Sequence, residues 1–495
     1  MDLPESSSSW SRRDLRLDEK RPRDEKLVSN RSAVAEGQVT PVTAHASRTS
    51  TSYCWYVLVV LTVAYTISFI DRQILALMIG PIRKDLGISD TEVSLLIGLA
   101  FALFYTFLGI PIGRLADRFS RRAIIATGIF FWCTMTAACG MAHNYGQLFV
   151  ARIGVGVGEA ALSPSALSLI SDYFPQETRG RAVSFYTMGI SLGSGLAMLL
   201  GGTLVAFALR AGAVTLPIIG AVHSWQSVFF IVGIPGLLLV ALMRTVREPS
   251  RRETLRRAAS AAAELSLAEV ARFLLVRWRL YGSHFVGMSV AATLAYGFFA
   301  WIPTMFVRTW AWPIARIGAA YGAVVILSGV LSIFLVSLLA KRLTDRGCAD
   351  VYMRVALYSA VLGILGAVTT PLAPNPGLAL VLLVPTTVGS LAATSAGLAG
   401  LMVVTPNQMR AQASALYYLV VNLIGLTVGP TGIALFTDHV FRADAMLRYS
   451  ILCVAALTGA IATWLLAFNL REYRSAIAEA RSWLDPAWSP PAEVS

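Results

Sequence analysis

Residues 113–122 read Gly-Arg-Leu-Ala-Asp-Arg-Phe-Ser-Arg-Arg and separate two long apolar runs, residues 91–113 and 122–142. From Arg114 to Arg122 this loop carries four basic residues and one acidic residue. Each neighbouring run is long enough to cross the hydrocarbon core of a membrane as a helix, which needs about 20 residues. A short basic loop between two such runs is typical of a multi-pass membrane protein with cytoplasmic positive loops.

Comparable apolar runs recur on both sides of this loop and give twelve predicted membrane spans. The predicted spans are residues 53–80, 91–113, 122–142, 146–170, 181–209, 224–245, 281–307, 316–340, 352–372, 376–401, 411–437 and 447–470. Only 14% of the residues are charged, whereas soluble domains carry about a quarter. The composition therefore excludes a soluble globular protein and predicts an all-α membrane protein with twelve transmembrane helices.

The polar segments divide the chain into five predicted parts. Residues 1–50 hold nine basic and eight acidic residues and no apolar run, which predicts a disordered cytoplasmic tail. Residues 51–245 and 281–470 are predicted to form the N-terminal and C-terminal six-helix bundles. A cytoplasmic linker, part helical, is predicted over residues 246–280, and a cytoplasmic tail over residues 471–495.

The distribution of basic residues predicts the orientation. The loop at residues 114–122 contributes +3 and the connection 244–279 contributes +5 (nine basic, four acidic), which is 8 of the 13 excess charges. We therefore expect a multi-pass protein of the cell (inner) membrane with both termini in the cytoplasm. Topology accounts for the basic balance, so no nucleic-acid partner is expected. Membrane lipids are expected partners, since residues 247–279 can form a helix against anionic headgroups.

Two motifs recur at nearly the same offset. Arg114-Leu-x-Asp117-Arg118 returns 228 residues later as Arg342-Leu-x-Asp345-Arg346, and Pro175-x-x-x-Arg179-x-x-Ala182 returns 231 residues later as Pro406-x-x-x-Arg410-x-x-Ala413. Repeats at corresponding loops predict two pseudo-symmetric six-helix halves. Such duplicated halves around a central site are known from transporters that work by alternating access.

The loop quoted first resembles the signature between spans 2 and 3 of the major facilitator superfamily, and the resemblance covers roughly residues 50–475. It implies the fold of that superfamily and a conformational latch that stabilises the outward-facing state. The implied latch residues are Gly113, Asp117, Arg118 and Arg121. The second copy of the motif departs from the signature, with Lys341 in place of Gly113. A basic loop that only sets topology is the alternative.

Four ionisable side chains lie deep inside predicted spans: Asp71 and Arg72 in span 1, and Arg152 and Glu159 in span 4. A charge at membrane depth is costly unless it is paired or hydrated, so these residues are functional candidates. Arg152 and Glu159 are seven residues apart and share a helix face, and Asp71 falls between them in depth.

We expect the four charges to form one nearly neutral cluster. Protonation of Asp71 or Glu159 would free an arginine and change the preferred pairing, which couples a proton to a conformational state. The alternative is a fixed structural network of ion pairs.

The residues around these charges resemble the spinster branch of the superfamily. The matching stretches are Tyr65-x-x-x-Phe69-Ile-Asp71-Arg72, Gly154-Val-Gly156-Val-Gly158-Glu159-Ala-x-x-x-Pro164 and Ser168-Leu-Ile-x-Asp172-x-Phe174. Animal spinster proteins move amphipathic lipids such as lysophospholipids and phosphorylated sphingoid bases. The resemblance implies that Asp71 and Glu159 are proton-coupling residues, with Arg72 and Arg152 as charge partners or ligands of a substrate headgroup.

A substrate cavity is predicted between a charged wall from the N-terminal half and a weakly polar, aromatic wall from the C-terminal half. Its candidate residues are Tyr65, Phe69, Tyr296, Phe299, Thr387, Tyr417 and Asn422. Such a cavity suits a substrate with a polar head and an apolar body. The alternatives are a proton-coupled symporter of small organic acids, a multidrug exporter and a non-transporting scaffold or receptor.

Motifs of enzymes are weak in this chain. Gly189-Ile-Ser191-Leu-Gly193 fits a hydrolase pattern, but it lies inside an apolar span, where close helix packing explains it better. The five cysteines form neither a C-x-x-C motif nor a cluster with histidine, and no phosphate-binding loop is present. We therefore expect no enzyme activity, no metal and no cofactor; the expected partners are protons and a small-molecule or lipid substrate.

Overall fold

The computed structural model describes residues 50–216, 220–249 and 267–482. The predicted N-terminal tail lies outside the described residues except for Ser50. Residues 250–266 of the predicted linker and residues 483–495 of the predicted C-terminal tail also lie outside them.

The N-terminal half contains six transmembrane helices, TM1 to TM6, and a short hairpin of strands β1 and β2. Their bounds are TM1 Thr51–Ile74 with a 3₁₀ turn Leu75–Leu77, a short helix Ile79–Leu86, TM2 Asp90–Ile97 and Leu99–Arg118, TM3 Arg121–Cys139, TM4 Tyr145–Glu159 and Leu162–Tyr173, TM5 Gln176–Ala211, β1 Val214–Leu216, β2 Gly220–Val222, and TM6 Ser224–Gly236 and Leu238–Thr245.

The C-terminal half contains TM7 to TM12 and follows a linker helix. The bounds are the linker helix Leu267–Val276, TM7 Trp278–Trp310, TM8 Ile314–Asp345, TM9 Val351–Thr369 with a 3₁₀ turn Thr370–Leu372, TM10 Pro376–Val404, TM11 Arg410–Leu435 with a π-helical end Phe436–Phe441, a 3₁₀ turn Asp444–Met446, and TM12 Leu447–Ser482.

Twelve helical stretches in the described residues are long and apolar enough to cross a membrane, which confirms the predicted number of spans. The last helix continues to Ser482, beyond the predicted end of span 12 at residue 470. Large apolar side chains face outward; Phe207, Leu238 and Phe334 are 67%, 74% and 68% exposed. Lipid tails are as apolar as these side chains, so their exposure fits a membrane-embedded surface. The predicted fold class, an all-α membrane protein with two six-helix halves, is confirmed.

Glycines bring TM5 and TM8, and with them the two halves, into close contact. A Cβ atom added to Gly318 of TM8 would lie 2.5 Å from the carbonyl oxygen of Met198 in TM5. At Gly322 it would lie 2.6 Å from the carbonyl oxygen of Gly195. Two helix backbones can approach this closely only where small residues face each other.

Small residues also bring TM1 and TM5 together next to the buried charges. An added Cβ at Gly193 of TM5 would lie 2.6 Å from the carbonyl oxygen of Thr66 in TM1. The hydrolase-like pattern is therefore a helix-packing site, as expected. TM4 is interrupted directly after Glu159, where Pro164 has no N–H to donate to the carbonyl of Ala160.

The internal repeat has a structural counterpart. Arg179, at the start of TM5, donates a hydrogen bond to the carbonyl oxygen of Ser171 at 2.9 Å. Arg410, at the start of TM11, donates to the carbonyl oxygen of Thr405 at the same distance. Each arginine thus caps the end of the preceding helix, which explains why the motif returns in both halves.

Candidate functional site

TM1 and TM4 bring the four predicted charges together in the interior of the N-terminal half. Asp71 and Arg72 are 2% and 7% exposed, and Arg152 and Glu159 are 0% and 1% exposed. Removing charges from water at this depth is unfavourable, so each must be compensated by a neighbour or change its protonation.

Glu159 and Arg72 form a direct ion pair between TM4 and TM1. The Arg72 Nη2 atom lies 2.6 Å from Glu159 Oε2, and the hydroxyl of Ser68 donates to the same oxygen at 2.6 Å. The guanidinium of Arg72 lies 4.3 Å from the ring centre of Phe101 and 4.7 Å from that of Tyr105, both in TM2. Aromatic faces attract a cation, so the rings hold Arg72 toward Glu159.

Asp71 has a different environment, although it is adjacent to Arg72 in sequence. Its Oδ2 atom accepts a hydrogen bond from the hydroxyl of Thr136 in TM3. Its Oδ1 atom has no hydrogen-bond partner among the described residues. The predicted single cluster therefore consists of a paired carboxylate, Glu159, and a carboxylate without an arginine in direct contact, Asp71.

Arg152 is the fourth member, and its guanidinium is only weakly satisfied. Its Nε atom lies 3.5 Å from the carbonyl oxygen of Leu96 in TM2. Both of its Nη atoms lack a hydrogen-bond partner within the described part of the chain. Buried polar groups are nearly always paired, so these unpaired atoms are unusual. They give the cluster donors and acceptors for a second arrangement of its hydrogen bonds.

Aromatic side chains of both halves surround Arg72. Tyr65 stacks on Tyr186 of TM5 with ring centres 4.5 Å apart, and Phe69 lies edge-on to Tyr65 at 5.2 Å. From the C-terminal half, Tyr296 donates a hydrogen bond to Asn422 Oδ1 at 2.9 Å and is near enough to Arg72 to interact electrostatically. Four predicted cavity residues therefore lie around the charged pair.

The other three predicted cavity residues lie in different surroundings. Tyr417 is fully buried, with its ring 5.5 Å from Phe285 of TM7. Its neighbour Tyr418 is 43% exposed, and its ring centre lies 5.5 Å from that of Tyr417. The remaining two are half-buried and contact their own half: Phe299 packs on Tyr321 of TM8, and Thr387 donates to the Leu383 carbonyl in its own helix.

Sequence reasoning missed the neutral members of the site. Ser68 is one helical turn before Asp71 and Arg72, and this spacing is the one signal in the sequence that could have identified it. Thr136, Phe101 and Tyr105 lie on TM3 and TM2, which carry no buried charge in the predicted spans. Nothing in those helices distinguishes these three residues before the helix rotations are known.

Comparison with known proteins gives the family. The chain matches the Major Facilitator Superfamily over residues 61–430. It belongs to this superfamily. An MFS-type efflux pump of Mycolicibacterium smegmatis is 29% identical over 89% of this chain and 98% of that protein. A probable L-galactonate transporter of Escherichia coli is 32% identical over 37% of each chain, so this chain spans about a third of that relative.

Among solved structures, the chain is similar to a bacterial homologue of the human lysosomal transporter spinster, crystallised in an inward-facing and unoccupied conformation. The two are 26% identical with a TM-score of 0.68, over 90% of this chain and 100% of that chain. The predicted resemblance to the spinster branch is thereby confirmed. The chain is a spinster-like transporter of the superfamily and not an enzyme.

The latch residues implied by the superfamily signature do not form a common set of contacts within the described residues. Asp117 and Arg118 are exposed, and within the described part of the chain neither forms an ion pair. A Cβ atom added to Gly113 would lie 3.8 Å from the Cβ atom of Pro164 in TM4, which is ordinary contact. The close helix approach that a glycine permits is therefore not made here.

Arg121 is the exception, since it is buried and doubly paired. It donates to Asp172 at the end of TM4, and its Nε atom lies 2.7 Å from Glu248, which follows TM6. Glu248 also accepts hydrogen bonds from the Ser120 hydroxyl at 2.9 Å and the Arg122 amide at 3.0 Å. This carboxylate thus fastens the start of TM3 to the end of TM6.

The second half has the opposite charge at the corresponding place. Asp350, which stands where the arginine pair stands in the first half, is 1% exposed. It accepts hydrogen bonds from Arg354 and from Arg474 of TM12, both at 2.6 Å. Both halves therefore have an ion cluster at this place. In the first half a buried arginine, Arg121, lies between two carboxylates, and in the second half a buried carboxylate, Asp350, lies between two arginines.

We expect Glu248→Gln to lower the stability of the purified protein at pH 7 by about 1 kcal/mol. Partial burial of Glu248 opposes its ionisation, but the hydrogen bonds from Arg122, Arg121 and Ser120 hold its pKa below its usual value. A carboxylate whose pKa is lower in the folded protein stabilises the fold fully at pH values above its pKa in the unfolded chain, which is about 4. This stabilisation is lost as the pH falls through the pKa of the folded state.

Thermal unfolding of both proteins as a function of pH checks this prediction. The difference should be present at neutral pH and shrink in acid. Glu177→Gln, at an exposed carboxylate, is the control and should unfold like the parent. Equal unfolding of Glu248→Gln and the parent at pH 7 would contradict the prediction.

Proposed function

We propose that this spinster-like transporter is proton-coupled and moves an amphipathic, lipid-like substrate of the lysophospholipid or sphingoid type by alternating access. The observation that carries the proposal is the ion pair of Arg72 and Glu159, which is buried among aromatic rings beside Asp71. A carboxylate that exchanges an arginine for a proton couples protonation to the position of that arginine.

The proposed cycle follows from the two environments of the carboxylates. Protonation of Glu159 removes the charge that holds Arg72, which then becomes free to bind an anionic headgroup. Asp71, without an arginine in direct contact, is a second proton acceptor beside Arg152. Rebinding of Glu159 to Arg72 would expel the headgroup and restore the pair described above.

The surroundings of Arg72 support a substrate with a polar head and an apolar body. Phe69, Phe101 and Tyr105 present ring faces to the cation. Tyr296, with Asn422, adds neutral hydrogen-bonding groups from the C-terminal half. A C-terminal wall without charges would bind the apolar body of a substrate, so the substrate would need only one charged group.

We also propose the orientation in the inner membrane with both termini in the cytoplasm, on the basis of the basic loops at residues 114–122 and 244–279. In this orientation the contacts between TM2 and TM7 or TM11 lie on the outer side and join the two halves there. The crystallised spinster homologue is described as inward-facing.

Flux into proteoliposomes under an imposed pH gradient tests this function. We expect a fluorescent lysophospholipid to accumulate with the gradient and to stop accumulating when a protonophore removes it. L-Galactonate is the matched comparison substrate. Lysolipid flux that ignores the gradient would contradict proton coupling, and gradient-driven flux of galactonate alone would contradict the substrate class.

A second candidate, proton-coupled symport of a small organic acid, is favoured by the similarity to the L-galactonate transporter. Arg72 and Arg152 would then clamp the carboxylate of the substrate. Multidrug export is a third candidate, favoured by the similarity to the efflux pump over most of both chains. The flux experiment distinguishes the second candidate from the first. A test of the third candidate needs drugs as substrates in the same proteoliposomes.

A further inference from the structure

The two halves are also joined at the end of the bundle where TM2 begins, far from the loop between TM2 and TM3. Asp90, the first residue of TM2, is 0% exposed. Arg308, in the last turn of TM7, donates to both of its oxygens at 2.6 Å and 2.7 Å. This two-pronged geometry is the strongest form of an arginine–carboxylate pair, and here it connects the N-terminal half to the C-terminal half.

Two further charges extend this pair into a network. The Nε atom of Arg83, in the short helix after TM1, lies 3.1 Å from Asp90. Its Nη1 atom lies 2.8 Å from Asp444, which precedes TM12. Arg308 lies 3.8 Å from the same Asp444. Two arginines and two aspartates, one of each from either half, therefore neutralise one another across the boundary between the halves.

The first helical segment of TM2, Asp90–Ile97, is fixed to TM11 as well; we call it the gate segment. The amide and the hydroxyl of Thr91 both donate to Asp438 at 2.7 Å. The hydroxyl of Ser94 lies 3.2 Å from that of Thr431. One face of the gate segment is thus held along its length by polar contacts to the opposite half.

Gly98 interrupts TM2 directly after the gate segment, with φ −96° and ψ −83°, outside the helical region. A Cβ atom at Gly98 would lie 2.3 Å from the carbonyl oxygen of Leu426 in TM11. The carbonyl of Leu96, just before this break, faces Arg152 of the charged cluster. Movement of the gate segment would therefore displace a backbone acceptor of a buried arginine.

We propose that the gate segment is a conformational gate and that the pair of Asp90 and Arg308 is its bolt, which must break for the protein to open at this end. Any separation of the halves here pulls Arg308 from Asp90 and leaves each charge with only the weaker partner of its own half, Arg83 for Asp90 and Asp444 for Arg308. The bolt therefore sets the balance between the closed and open forms of this end. The proposal rests on alternating access as proposed above.

Removing the charge of Asp90 tests the gate without any transport measurement. Spin labels are placed on the exposed positions of Lys84→Cys in the N-terminal half and Ala443→Cys in the C-terminal half. The half-buried Cys348 and Cys453 are replaced by Ser beforehand. Double electron–electron resonance on the full chain in lipid nanodiscs then reports the distance between the halves at this end.

We expect the parent to show mainly the short distance of the closed gate. In Asp90→Asn the ratio of long-distance to short-distance molecules should rise by more than about tenfold, because one charge of a buried pair is lost. Arg308→Gln should shift the distances in the same direction. The double charge reversal D90R/R308D should return the distribution toward that of the parent.

Glu479→Gln is the matched control, since it removes one partner of an ion pair, Arg277–Glu479, that lies within one half. It should leave the distances unchanged. Folded, monodisperse Asp90→Asn and Arg308→Gln proteins with the parent distribution would overturn the gate. The distance measurements contain no substrate and do not depend on transport. If these distance shifts are observed but proteoliposomes show no flux, the proposed function is refuted and the gate is supported.

Discussion

Asp71→Asn is expected to reduce proton-driven accumulation of substrate to the level of empty liposomes while leaving exchange of substrate across the membrane intact. The amide cannot take up a proton in the relevant range, but it can still accept the hydrogen bond from Thr136. Asp71 has no arginine in direct contact, so the substitution leaves no buried cation newly unpaired. The variant should therefore fold and bind as the parent does.

Glu159→Gln is expected to lose accumulation too, with an added cost in stability. The glutamine removes the charge that compensates Arg72, and losing one partner of a buried pair destabilises a protein by about 3–5 kcal/mol. Comparing the two variants thus separates coupling from folding. Accumulation and exchange are measured in the same proteoliposomes, with Glu177→Gln, at an exposed position outside the proposed sites, as the control. Unchanged proton dependence in both variants would refute the coupling role.

Gly158→Ala is expected to destabilise the N-terminal half by about 3 kcal/mol and to lower the yield of monodisperse protein. The added Cβ atom would lie 2.6 Å from the backbone nitrogen of Trp132 and 2.9 Å from the carbonyl oxygen of Gly128, both in TM3. These are backbone atoms, which cannot rotate away as the end of a side chain can. TM3 and TM4 would have to separate next to Glu159.

Thermal unfolding in detergent, together with gel filtration, measures this effect. Gly109→Ala in TM2 is the control, because no atom lies within 4 Å of a Cβ atom added there. It should unfold at or slightly above the temperature of the parent, since alanine favours a helix over glycine. Equal stability of Gly158→Ala and Gly109→Ala would show that TM3 and TM4 separate without cost.

The number of helices and the buried charges could be read from the sequence because both depend on solvation alone. A helix of about 20 apolar residues is stable in hydrocarbon whatever its neighbours are, so the spans are visible one at a time. Asp71 and Glu159 are conspicuous for the same reason, since a charge in such a span is rare. The repeated Arg179 and Arg410 likewise need only the end of the preceding helix as a partner.

Pairings between helices could not be read in this way. Adjacent residues in a helix point about 100° apart, so Tyr417 and Tyr418 could not be told apart without the rotation of TM11. Asp90 and Arg308 could not be identified as buried charges because each lies one residue outside a predicted span, at the end of a helix. Their functional interest comes from meeting across the two halves.

The sequence by itself determined a twelve-helix membrane protein with duplicated halves and four charges in its N-terminal interior. Only the tertiary structure decided that Glu159 holds Arg72, that Asp71 turns to Thr136, and that Asp90 binds Arg308. The physical reason is the range of the forces involved. Transfer from water to lipid acts on each segment separately, whereas ion pairs and hydrogen bonds depend on helix positions known to within a fraction of an ångström.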